Sequence, residues 1–324
     1  MDVNKSFDVY LKELSKNQLI DVICDYNKLA CIFDDETISY NNKEKKDKLI
    51  NKILDIKNKY IKYIIESLDL EDYNILKRLI LKKVKNDFFN INRAFINYLV
   101  DKKILFQKDN LEIPSDIYML LKSLLKNKNV YSYIKIWNRI YKLVDGIIIA
   151  YGLVDRNYFD IIISGIVDKE KIVPKIDFYY KKEYIIDDKK IMSSKLSSKK
   201  RIDSYYKNNK YKMYSNKEYV AMGNNSYHYS IKSYKKLIKM LKSNYVFKND
   251  DIKFVDNNIV IPYLYNSLNE EDIAKKNLEE TITTLFEFKG EKLKHKMLEE
   301  IMKIRCEFPL WEYRGFTKIE VNNE

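Results

Sequence analysis

Glycine and proline are scarce in this chain, with six and four among 324 residues. That scarcity excludes a collagen-like repeat, a loop-rich β-sandwich and a low-complexity linker, which need those residues to turn or extend the backbone. Cysteine is rarer still. Cys24, Cys31 and Cys306 form an odd set at no metal-binding spacing, which suits a reducing compartment rather than a disulfide scaffold. The two histidines, His228 and His295, lie far apart and have no second ligand at i+3 or i+4, so no metal site is expected. No apolar run approaches the ~20 residues of a membrane span, and the longest candidate, Leu143–Val154, is short and contains Asp145. Met1-Asp2-Val3-Asn4-Lys5 opens with an acid and no apolar core, from which we expect no secretory signal and a cytoplasmic location. Glycine-rich phosphate loops, dinucleotide-binding spacing and a Gly-x-Ser-x-Gly elbow are all missing, since Gly223-Asn224-Asn225 is an isolated turn; no cofactor is expected.

What is present is charge and apolar surface together. An apolar fraction of 46% with 33% charged residues reads as a globular chain, long enough for two or three cores. The net charge is +13, and it is unevenly placed. Between Lys189 and Lys248 there are 16 basic residues against only Asp203 and Glu218, so this stretch of 60 residues carries +14 and the other 264 sum to −1. Nine tyrosines share the stretch, in runs such as Tyr205-Tyr206-Lys207-Asn208-Asn209-Lys210-Tyr211-Lys212. Lysines neutralise phosphates and release counterions, while Tyr211, its neighbours and His228 offer flat faces on which bases can stack. Lysine with only one arginine, Arg201, points to a polyanion held by point charge rather than to bidentate reading of guanine edges.

Apolar periodicity predicts a mainly α fold with short β-hairpins, an α+β arrangement of tandem winged-helix-like units and a helical C-terminal region. The expected segments are 1–68, 69–130, 131–228 and 229–324. In the first, Ser15 starts one amphipathic helix and Lys48-Leu49-Ile50-Asn51-Lys52-Ile53-Leu54 begins another that runs past Tyr63, a pair that resembles the SAP or Rho N-terminal-like modules. In the second, helices over 70–81 and 91–100 precede two short strands within 104–113 and a helix opened by Pro114-Ser115-Asp116. Helix, helix, hairpin, helix is the order of a winged helix, whose second helix would turn Asn92, Arg93 and Asn97 toward a major groove. The third segment reads as helices over 134–151 and 156–165, then strands within 175–193 around Asp187-Asp188, with Ile176, Phe178 and Tyr180 on one face. A further round places a helix over 230–244 and strands within 246–261 around Asp256-Asn257-Asn258. Asn269 is expected to cap the first of two long C-terminal helices, over 269–287 and 291–305.

The tail Pro309-Leu310-Trp311-Glu312-Tyr313-Arg314-Gly315-Phe316-Thr317-Lys318-Ile319-Glu320 resembles a C-terminal signature of uncharacterised proteins from low-GC Gram-positive bacteria and their mobile elements. Trp311, Gly315, Thr317 and Glu320 match that pattern, and Lys318 stands where proline is usual. Ala150-Tyr151-Gly152-Leu153-Val154-Asp155 is similar to a second stretch of the same group. The resemblance implies a phage or mobile-element origin and no particular activity. In its own right, Trp311 is expected to pack into the last helices, with Gly315 permitting a left-handed turn.

The expected function is that of a non-enzymatic nucleic-acid-binding protein, with DNA rather than RNA as partner. Its candidate contacts are Arg93, Asn97, Lys199, Lys200, Arg201, Lys207, Lys210, Tyr211, Lys212, Lys235 and Lys236. An acidic protein is the alternative partner for the same charge, and no membrane is expected. A third reading takes Asp177, Asp187 and Lys189 as a loose Asp…Asp-x-Lys set on one hairpin, the pattern of Mg²⁺-dependent nucleases.

Overall fold

The computed structural model describes residues 2–3, 5–81, 93–164, 169–179, 181–196, 210–244, 249–265, 271–288 and 290–322. It is mainly helical with two small three-stranded sheets. No helix among the described residues is long and apolar enough to cross a membrane. The chain folds as two units, one of residues 1–139 and 166–182, the other of 140–165 and 183–324.

In the first unit, strand β1 (Asp2–Val3) leads to helices α1 (Phe7–Glu13), α2 (Lys16–Ile32), α3 (Lys46–Glu66), α4 (Leu70–Leu81) and α5 (Arg93–Asp101). Strands β2 (Phe106–Gln107) and β3 (Leu111–Ile113) and helix α6 (Ser115–Leu124) follow. Helix α2 starts where the sequence says it should: Ser15 accepts from the Gln18 N–H and the Gln18 side chain accepts from the Ser15 N–H, a reciprocal cap. Helix α3 buries Leu49, Ile53, Ile56, Tyr60 and Ile64 at helical spacing against α2. The hairpin β2–β3 forms within 104–113 as expected, and β1 pairs in parallel with β3 to complete the sheet. The segments expected as 1–68 and 69–130 share one core, in which Leu19, Ile53 and Tyr60 belong with Leu99, Ile113 and Leu121.

Helix α7 (Lys128–Tyr151) gives its first half to this unit and its second half to the other. Helix α9 (Lys169–Phe178) brings residues 166–182 back to the first unit, and here the expected strand is replaced by a helix. Ile172, Ile176 and Tyr179 are buried at i, i+4 and i+7, so the helical period wins over the two-residue alternation read through Ile176 and Phe178; Tyr180 lies outside the described residues. Lys175 is wholly buried on this helix. Its ammonium sits 4.1 Å from the Trp137 ring centre, 4.3 Å from Tyr133 and 4.6 Å from Phe33, and it donates to the Tyr133 hydroxyl and the Glu66 carbonyl. Four residues on, Tyr179 donates to Asp69, and Lys181 bridges Asp69 and Asp72 at 3.1 and 2.8 Å, both carboxylates being buried.

The second unit holds strand β4 (Leu153–Asp155), helix α8 (Arg156–Ile163) and the hairpin of β5 (Tyr184–Ile186) and β6 (Lys190–Ser193), in sheet order β4-β6-β5. Then come α10 (Asn216–Gly223), a 3₁₀ turn over Tyr227–Ser230, α11 (Lys232–Asn244) and α12 (Asn249–Val255). A π-helical turn over Asp256–Val260 runs into α13 (Ile261–Tyr265), so the strands expected within 246–261 are helical where described. The local turn preference of Asp256-Asn257-Asn258 is overridden because Asp256 is buried, accepting from the Tyr229 and Tyr234 hydroxyls, while Val255, Ile259, Val260, Tyr263 and Leu264 face the core. Helices α14 (Glu271–Leu285), α15 (Glu291–Cys306) and the short α16 (Lys318–Asn322) close the chain. Asn269, the expected cap, lies outside the described residues.

Candidate nucleic-acid interface

The site is built on the second unit, and its foundation is the C-terminal tail. Gly152 has φ +68°, and a Cβ there would sit 2.3 Å from the Trp311 ring; Gly315 has φ +89°, and a Cβ there would sit 2.6 Å from the Tyr151 ring. The stretches Ala150–Asp155 and Pro309–Glu320 are thus packed into each other, glycine against aromatic, twice. The Trp311 indole N–H donates to the Ile149 carbonyl at 2.7 Å, and its ring joins Leu153 and Leu196. Its partners are therefore the end of α7 and strand β4 rather than the last helices, a correction to the expectation, whereas the left-handed turn at Gly315 is as expected. Thr317 and Glu320 cap α16 reciprocally: the Glu320 carboxylate accepts from the Thr317 N–H and hydroxyl, and the Thr317 hydroxyl accepts from the Glu320 N–H.

Residues 210–214 are fastened to this tail. The Lys212 N–H donates to the Arg314 carbonyl, its ammonium pairs with Glu320 at 2.5 Å, and Tyr214 donates to the Gly315 carbonyl. Burial opposes ionisation of Glu320, but the Lys212 ammonium and the Thr317 donors hold its carboxyl below the ordinary range. Tyr151 gives its proton to the Lys212 carbonyl and so accepts from Tyr219, 2.5 Å away. Tyr211 donates to Asp155, stacks on Tyr158 at 4.3 Å and lies under the Arg314 guanidinium at 4.6 Å. Burial pushes the Tyr211, Tyr219 and Tyr227 hydroxyls up to about 12. Tyr211 and Lys212, expected as contacts for nucleic acid, are thus engaged inside the fold. Lys210 is exposed beside them.

The other described tyrosines of the basic stretch follow the same rule. Tyr214, Tyr219 and Tyr234 are buried, Tyr227 packs edge-on against Tyr214 and Phe308, and Tyr229 spends its hydroxyl on Asp256. His228, expected to offer a flat face, is wholly buried between Tyr229 and Tyr234, with Nε2 3.5 Å from Asp256.

Helix α11 carries a row of exposed charge. Tyr234, Leu237, Met240 and Leu241 are buried on one side, and Ser233 donates to Glu307. On the other side Lys232, Lys235, Lys236, Lys239 and Lys242 are all exposed, and none has an ion-pair partner among the described residues. At 3.6 residues per turn these positions span roughly a third of the helix circumference, along about 15 Å of its axis. Lys235 and Lys236 were legible as candidates; Lys232, Lys239 and Lys242 were missed, though the i, i+3, i+4, i+7 spacing of lysine in the sequence was the signal that could have found them.

The remaining candidates are dispersed. Arg93 and Asn97 are exposed on α5 of the first unit. Lys199, Lys200, Arg201 and Lys207, like Asn92, lie outside the described residues, which resume at Lys210. Asp177 is on helix α9 of the first unit, not on a hairpin, and pairs with Lys182. Asp187 and Lys189 belong to the second unit, where the Asp187 carboxylate accepts from the Lys189 and Lys190 N–H groups, at 2.7 and 2.6 Å, and shapes the β5–β6 turn. No group of three or more metal-ligating side chains occurs among the described residues. Comparison with family models, with curated proteins and with solved structures yields no match.

Proposed function

We propose that the protein binds nucleic acid, DNA rather than RNA, without acting on it chemically. The observation that carries this reading is the row of five lysines on α11 that have no ion-pair partner among the described residues, backed by a helix face fixed in the core. Charge of one sign held along one face of a helix is the footprint of a polyanion site. Lys199, Lys200, Arg201 and Lys207 extend the same basic stretch in sequence. In the first unit the order helix α4, helix α5, hairpin β2–β3, helix α6 supports a winged-helix-like reading, in which Arg93 and Asn97 supply orientation.

The test is a gel-shift titration at several salt concentrations. Charge reversal of Lys199, Lys200 and Arg201, and separately of Lys235 and Lys236, should lower affinity and flatten its salt dependence, because each lost phosphate contact removes about 0.9 from the log–log slope. Unchanged titrations for both variants would refute the reading. Nucleic acid that co-purifies and leaves only in high salt, seen in the 260/280 nm ratio, would support it. A protein partner retained after nuclease treatment would favour the acidic-protein alternative.

A further inference from the structure

We infer, resting on the reading just given, that α11 grips the phosphate backbone of a DNA duplex, neither reading bases nor stacking on them. Single-strand sites combine a basic track with aromatic faces on which successive bases lie. The sequence offers tyrosine in abundance around these lysines, yet among the described residues the fold consumes it. Of the described tyrosines in the basic stretch, Tyr214, Tyr219 and Tyr234 are buried and Tyr211 is covered by Tyr158 and Arg314. Tyr227 is half-buried against Phe308, and the exposed Tyr229 is tied to Asp256.

The solvent face of α11 therefore presents ammonium groups and, at its end, Ser243 and Asn244. It carries no arginine to form a bidentate pair with a guanine edge. Its length matches a duplex: about 15 Å of B-DNA axis carries about nine phosphates, enough for five point charges without distorting either partner. A single strand offers about half that density over the same distance.

The full-length chain would be titrated by fluorescence anisotropy against two 20-base-pair DNA duplexes of unrelated sequence and against one of their single strands. Both duplexes should bind within about threefold of each other, since phosphate contacts carry no sequence information, and both should bind more tightly than the single strand. The triple variant Lys235→Gln, Lys236→Gln, Lys239→Gln should retain wild-type helicity by circular dichroism, its changes being on solvent-facing positions. Its log K against log salt slope on the duplex should be shallower by about 2.7, at 0.9 per lost phosphate contact. Tighter binding of the single strand, weakened by Tyr229→Ala, would overturn the duplex assignment while leaving nucleic-acid binding intact. Duplex binding with an unchanged slope in the triple variant would overturn the role of α11. Failure to bind any of the three probes at low salt would remove the reading beneath it.

Discussion

Lys175 shows how far a single residue can depart from its ordinary setting. Its ammonium is enclosed by Phe33, Tyr133 and Trp137, and burial pushes its pKa well below the usual lysine range, with Glu66 opposing. The unfolded chain holds this proton more firmly than the folded one, so the contribution of Lys175 to stability is most favourable above the ordinary lysine pKa and becomes less so as pH falls. Lys175→Met should therefore be neutral to stabilising at pH 7, and its stability should rise less between pH 7 and 10 than that of the wild type, as measured by urea unfolding. Lys181 is the opposite case. It is the cation for two buried carboxylates, Asp69 and Asp72, and Lys181→Met should cost about 3–5 kcal/mol in the same assay because both acids keep their burial and lose their partner. Gly146 has no freedom of another kind: a Cβ there would meet the Tyr219 carbonyl at 1.8 Å, where α7 crosses α10. Gly146→Ala should destabilise by about 3 kcal/mol or more, read from the same unfolding curves.

At the scale of elements, the tail acts as a fastening for the segment that precedes α10. Trp311→Ala removes the ring over Gly152 and the bond to Ile149, and should cost about 3–5 kcal/mol in thermal unfolding; Trp311→Phe should lose less, keeping most of the packed area. The tyrosines around it set an alkaline limit. Tyr211, Tyr219 and Tyr227 have folded pKa values raised to about 12, so their contribution is intact below pH 10 and is lost as pH rises through 10 to 12. Tyrosinate absorbance at 295 nm should consequently grow in step with loss of helicity, not ahead of it. Elements with strong local signals were legible: Ser15 and Gln18 mark the start of α2, the apolar stripes mark α3 and α4, and Asp187-Asp188 marks the β5–β6 turn. Helices α9, α12 and α13 were not, because alternating Ile176 and Phe178 and the polar run Asp256-Asn257-Asn258 favour strands and turns locally. Burial of Lys175 and Asp256 by distant side chains settles those segments the other way, and such contacts leave no trace in a short window.

At the scale of the whole molecule, the chain visits its two units in alternation, and residues 166–182 complete the first only after 140–165 have entered the second. A fragment ending at residue 139 lacks Lys175, Tyr179 and Lys181, leaving Asp69 and Asp72 without a cation and the aromatic box open. A fragment of residues 1–182 should therefore melt at a higher temperature than one of residues 1–139, and calorimetry on the two would check it. The sequence by itself determined the helical character, the concentration of charge between Lys189 and Lys248, and the pairing of lysine with tyrosine there, since composition and period are properties of the chain alone. Which of those side chains face water was decided only by tertiary structure. Tyrosine has an apolar ring with a polar tip, so a fold can bury it wherever a carboxylate or carbonyl awaits the hydroxyl, as Asp155, Asp256 and the Gly315 carbonyl do. Lysine on the far side of α11 has no ion-pair partner among the described residues and stays in solvent, which sets five ammonium groups along one face of that helix.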